Sequence, residues 1–218
     1  MRDPTFDLAA ALALPGFTPA VRDADALVQL LEREAEDEAD AGLVRHVTRG
    51  LVALRAVGRE ALRRRLAATS QRPLGEGPAT RVIAALGAIA RTGDSAATRS
   101  LLPLVTAPSE RWRRAAVVAL GKLGGDAARG LLPDAAVDEA RAVILERWDA
   151  EGLSPAERRA LTEALGKLGG GDAVDKLAAL QTEGDAELAR RRDRALVMSR
   201  RDRWRADSVA PFREQAGS

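Results

Sequence analysis

The sequence ALGKLGGD at residues 119–126 returns, with one glycine added, as ALGKLGGGD at residues 164–172. At a shift of 45, residues 113–125 and 158–170 agree at ten of thirteen positions. Fainter copies stand at 85–94, 53–60 and 194–202. No other feature constrains the fold as strongly. A unit of this length cannot bury its own apolar face, so copies must stack on one another.

Each copy reads as two helices. Ala116, Ala119, Leu120 and Leu123 fall at i, i+3, i+4 and i+7, one face of a helix. Leu161, Ala164, Leu165 and Leu168 repeat the pattern, as do Val82, Ala85, Leu86 and Ile89. Small Ala and Gly on that face let neighbouring helices approach closely. Gly124-Gly125 and Gly169-Gly170-Gly171 are expected to end the first helix in left-handed caps, with Gly125 and Gly170 as counterparts. Asp126, Asp172 and Asp94 are expected to cap the helix that follows. The octet is a poor phosphate loop. It lacks the Gly-x-x-x-x-Gly-Lys-Ser/Thr spacing and follows no strand.

Composition agrees with helices throughout. Hydrophobic residues make up 46%, yet aromatics only 3%, and Tyr is absent. Such a core is built from Ala, Leu and Val, whereas strand-rich cores favour aromatic and β-branched residues. The pattern predicts helices at 23–35, 39–57, 59–69, 79–91, 95–105, 109–123, 126–132, 136–150, 155–168, 172–181 and 185–200. Residues 70–78 read as a loop and the best hinge. Three regions follow: an N-terminal helical cap with divergent repeats (1–70), regular repeats (71–205) and a loosely ordered tail (206–218). The opening residues carry Asp3 and Asp7 where a signal peptide would be positive. They read as a short helix capped by Asp3 and stopped at Pro15-Gly16.

Cys is absent, which excludes disulfides, thiolate nucleophiles and thiolate metal sites. His46 is the only histidine, so a His-rich metal site is excluded too. No apolar run approaches the roughly 18 residues of a spanning helix. The expectation is a cytoplasmic protein with no membrane segment and no cofactor.

The segments WRRAAVVALGKLGGDAARGLLP (112–133) and ERRALTEALGKLGGGDAVDKLAAL (157–180) resemble HEAT-like repeats of the short, phycobilisome-lyase type. The resemblance lies in the Arg-Arg-Ala-Ala start, the Ala-Leu-Gly-x-Leu-Gly end and the Asp-x-x-Ala second helix, which the second segment fits nearly as well. It covers roughly residues 76–200; residues 20–70 match in period alone. It implies an all-α fold, a right-handed α-α superhelix (HEAT-like solenoid) of about five helical hairpins. It also implies a non-catalytic scaffold that binds a protein partner through a concave face lined by the second helix of each hairpin. Arg59, Arg63, Arg99, Arg129 and Lys176 are the side chains expected to face it.

Net charge is only +2, but 31 of the 34 basic residues are Arg. They crowd at 55–72 and again at 190–205, where eight Arg stand against two Asp. Clustered Arg is the footprint of phosphate-backbone binding, and equally of carboxylate pairing. The alternative reading is therefore a nucleic-acid-binding solenoid, as an accessory to a nucleic-acid-modifying enzyme. An acidic run, EREAEDEAD at 32–40, reads as a solvated helix end or a surface for a basic partner. Trp112, Trp148 and Trp204 suit packing between repeats better than base stacking. Certain alkylpurine DNA glycosylases share HEAT-like repeats. Asp149 beside Trp148 is the one suggestive pair, and it does not match their pattern, so an enzyme ranks third.

Overall fold

The computed structural model describes residues 7–33, 38–70, 73–127 and 134–199. Among these the chain is helical and contains no strand. It divides into two compact units, Met1–Leu101 and Leu102–Ser218.

The first unit holds α1 (Leu8–Leu12), α2 (Ala24–Glu32), α3 (Glu38–Ala53), α4 (Ala56–Ala67), α5 (Glu76–Ala90) and α6 (Ser95–Leu101). The Asp7 carboxylate caps α1, accepting from the amides of Ala9 and Ala10; the expected cap, Asp3, lies outside the described residues. Helix α5 packs against α2, α3, α4 and α6. Its Val82, Ile83, Leu86 and Ile89 meet a core that includes Leu27, Leu31, Leu51 and Leu62, all essentially inaccessible to solvent. Of the segment 70–78, read as a loop and hinge, residues 76–78 instead form the first turn of α5, which packs on α4.

The junction of α3 and α4 is abrupt. Arg55 has φ 49° and ψ −120°, and the Val57 amide donates to the Leu54 carbonyl at 3.1 Å. Those angles belong to the second residue of a type II′ turn, a glycine position. Gly58 then lies so close to the Leu51 carbonyl that a Cβ would overlap it.

The second unit opens with a 3-10 turn, Leu102–Thr106, followed by α7 (Glu110–Ala127), α8 (Asp134–Trp148), α9 (Pro155–Leu168), α10 (Gly171–Ala178) and α11 (186–199). Helix α9 is central, packing on α7, α8 and α10. Ser154 starts it by accepting from the Glu157 amide at 3.1 Å, with Pro155 just inside.

The repeated octet explains how the first helices of successive hairpins meet. A Cβ built on Gly121 of α7 would stand 2.8 Å from Ala164 Cα of α9. The equivalent Gly166 of α9 would place a Cβ 2.5 Å from Ala195 Cα of α11. The glycine of one copy therefore receives the alanine of the next, backbone against backbone, the last copy reading Ala-Leu-Val at 195–197. Both crossings are also tied near their N-terminal ends. Arg113 of α7 binds Glu157 of α9, and Arg159 of α9 binds Asp185, which precedes α11, at 2.8 Å.

The turns follow the sequence expectation in one copy and depart from it in another. Helix α9 stops at Leu168, and Gly169 and Gly170 take φ 64° and 92°. Gly170 also lies beneath Arg141, whose guanidinium donates to the Leu168 carbonyl at 3.1 Å and closes the end of α9. Helix α7, however, runs through Gly124 and Gly125 to Ala127, and neither glycine has positive φ. The reason is tertiary: Gly124 is pressed in helical conformation against the Lys167 carbonyl, where any Cβ would overlap. Asp126 is accordingly buried inside α7 rather than standing ahead of a second helix. The remainder of the expected helix 126–132 lies outside the described residues. Asp94 does cap α6, accepting from the Ala97 amide at 3.0 Å. Asp172 sits one residue inside α10, whose cap is Gly170.

Candidate functional site

Four of the five arginines at 55–65 bind carboxylates of their own unit. Arg59 binds Asp94 at 2.6 Å, and Arg65 of α4 binds Glu32 of α2 at 2.5 Å with both side chains mostly buried. Arg64 binds Asp25 and Arg63 binds Glu60, each at 2.8 Å, on the exposed side of α4. The Arg63 guanidinium holds the Glu60 carboxyl below its ordinary range. Arg72 lies outside the described residues.

Glu157 is a second sink for Arg, inside the second unit. It is fully buried, and Oε1 accepts from Nε of Arg113 and Nε of Arg147, both at 2.8 Å. Oε2 accepts from Arg113 at 3.0 Å, and Arg113 donates further to the carbonyls of Ala107 and Pro108. Burial alone would raise this carboxyl, but the hydrogen bonds from Arg113 and then Arg147 lower it to about 2. The cluster joins α7, α8 and α9 and has no opening to solvent at its carboxylate, so its role is structural. Sequence reading missed it because its partners lie 44 and 10 residues apart.

Among the described residues, charged side chains of this unit line two concavities. One, of about 480 Å³, is lined by Trp148, Arg158, Lys176, Ala179, Leu180 and Gln181. Arg158 lies 5.6 Å from the centre of the Trp148 ring, a cation–π distance. Lys176 is paired with Asp149 at 2.5 Å. Trp148 is buried, so neither the aromatic nor the acid of the Asp149–Trp148 pair stands free.

The other, of about 520 Å³, runs between α9 and α11. Arg191 spans it, binding Glu163 at 3.0 Å and Glu187 at 2.8 Å. Lys167, the lysine of the repeated octet, binds Glu163 at 2.5 Å, and Arg190 binds Glu187 at 2.7 Å. Lys167 holds the Glu163 carboxyl below its ordinary range, with Arg191 and Arg194 adding to the effect. Arg190, followed by Arg191, does the same for Glu187. The Arg190–Arg194 pair was visible in sequence as clustered Arg; Glu163 and Lys167 were signalled only by their i, i+4 spacing.

Of the five side chains expected to face a partner, Arg59, Arg63 and Arg99 belong to the first unit. The first two are ion-paired, whereas Arg99 is exposed on α6 and reaches only the Ser95 carbonyl at 3.4 Å. Lys176 lines the concavity beside Trp148. Arg129 lies outside the described residues. The sole histidine, His46, is half-buried on α3. No described helix is long and apolar enough to cross a membrane.

No protein-family model and no curated protein matches the chain. Among solved structures, the crystal structure of an engineered protein aligns over 90% of this chain and 88% of its own, at 19% identity and a TM-score of 0.45.

Proposed function

We propose that the chain is a non-catalytic, cytoplasmic scaffold of HEAT-like hairpins, wound as a right-handed α-α superhelix, that binds a protein partner along its layer of second helices. One observation carries the choice of a protein over nucleic acid. The arginines at 59, 63, 64 and 65 are each bound to a carboxylate of the same unit, so four of the six arginines at 55–72 are paired within the fold. Phosphate-backbone binding draws on unneutralised Lys and Arg.

The second reading, a nucleic-acid-binding solenoid, keeps the support of the basic segment 190–205, with eight Arg against two Asp. Fluorescence anisotropy separates them, using labelled single-stranded and duplex DNA and RNA at about 0.15 M salt, where exposed charges are screened beyond roughly 8 Å. Weak binding is expected. Submicromolar affinity with a log–log salt slope near about −5, the mark of some six phosphate contacts, would promote the second reading.

A further inference from the structure

We infer that Arg158, in the concavity beside Trp148, is the receptor for a single glutamate side chain of the protein partner. The inference rests on the scaffold reading and names what the layer of second helices takes, since the concavity lies at the C-terminal ends of α8 and α10.

The repeat shows what this arginine is built to hold. Arg158 is the counterpart of Arg113 at the shift of 45. Arg113 is answered on the next hairpin by Glu157, the third residue of α9, through bonds of 2.8 and 3.0 Å to its two oxygens. That is the forked contact by which Arg takes a carboxylate. The position matching Glu157 one copy further on is fixed twice. Ala195 stands at its glycine crossing as Ala164 does at the one before, and the same shift of 31 carries 157 to 188. The caps agree, because the Glu157 amide donates to Ser154 and the Leu188 amide donates to Asp185. The residue at that place is therefore Leu188, buried and without an acceptor in its side chain. Among the described residues the Arg158 guanidinium binds no carboxylate and no carbonyl; its contact is the Trp148 ring.

The surroundings suit a carboxylate brought from outside. Arg158 is half-buried, and its guanidinium lies 5.6 Å from the centre of the Trp148 ring. Stacking restricts its rotamers, which lowers the ordering cost of a new bond. Lys176, on the same wall, is spent on Asp149, so the lining carries one uncompensated positive charge. One carboxylate balances it. A nucleic-acid backbone would bring a row of phosphates to a lone cation beside Asp149. Ala179 and Leu180 complete the wall with an apolar surface for the methylenes of a glutamate.

The test uses the full chain, isotopically labelled with nitrogen, and follows the Nε–H magnetic resonance signals of arginine. Arg158→Gln identifies the Arg158 signal by its loss. Arg158→Lys, which keeps the charge without the fork, serves if that variant unfolds. The probes are N-acetylglutamic acid α-amide, its neutral glutamine analogue and inorganic phosphate. Each is added to about 0.1 M at constant ionic strength, the weak range of a single ion pair. The glutamate derivative should shift the Arg158 signal progressively and leave that of Arg113, already held by Glu157, in place. The glutamine analogue should have no effect, and phosphate should shift the signal less than glutamate. A stationary Arg158 signal, or equal shifts at Arg158 and Arg113, overturns the site and leaves the scaffold reading standing. A larger response to phosphate overturns the carboxylate as occupant. Submicromolar nucleic-acid binding that persists in Arg158→Gln overturns the scaffold reading instead.

Discussion

Gly121 and Gly125, four positions apart on α7, respond oppositely to an added methyl group. At Gly121 a Cβ would lie 2.8 Å from both Cα and Cβ of Ala164, so the helices must part to admit it. Gly121→Ala should destabilise by about 1–3 kcal/mol, the usual cost of overpacking. Gly125 has no heavy atom within 4 Å of the same position and is already helical. Gly125→Ala should instead stabilise by about 0.5–1 kcal/mol, since alanine loses less backbone freedom on folding. Paired chemical denaturation curves check both signs. If the two variants shift the midpoint in the same direction, the close crossing with Ala164 is not what holds α7 in place. The sequence alone ranked these residues the other way, marking Gly125 as the demanding cap. A glycine pair after an amphipathic run is a good stop signal. Whether the helix obeys it depends on what approaches, here the Lys167 carbonyl, which sequence spacing does not reveal.

At the scale of elements, most helices were legible because their apolar residues recur on one face. The expected spans 155–168 and 95–105 correspond to α9 and to α6 with its 3-10 continuation. The α3–α4 corner was not legible, since nothing in the sequence around Leu54–Val57 announces a glycine-type turn at an arginine. That residue makes the second prediction. Arg55→Gly should raise stability by about 1 kcal/mol by relieving the positive-φ strain, and thermal denaturation should show a higher midpoint. An unchanged or lower midpoint would mean that the Arg55 side chain holds the corner by contacts that outweigh its backbone cost. The ion pairs between helices escaped the sequence for a different reason. Charge composition says that 34 cations can find 32 anions, but not that Arg113 finds Glu157 or that Arg65 finds Glu32.

For the molecule as a whole, acid is the informative perturbation. Glu157 is lowered from 4.5 to about 2 in the folded state. A depressed carboxyl stabilises the fold above its unfolded pKa, and that stabilisation fades as pH falls from about 4.5 towards 2. The shift corresponds to something on the order of 3 kcal/mol. Glu60, Glu163, Asp185 and Glu187 are lowered as well, so their contributions have the same sign. Stability followed by urea denaturation should therefore be flat near neutrality and drop on the acid side. Glu157→Gln should cost about 3–5 kcal/mol at pH 7, because it strands Arg113 and Arg147, and should make the acid limb shallower. A variant as steep as the parent would place the acid sensitivity elsewhere. Gly121 meets Ala164 after 43 intervening steps of chain, whereas Gly166 meets Ala195 after 29, yet the two joints are alike. The joint does not register how much polypeptide lies between its halves. A gene encoding such a protein can gain or lose codons inside a hairpin without breaking the stack, so length variation among descendants should collect between the Ala-Leu-Gly copies and spare the copies themselves.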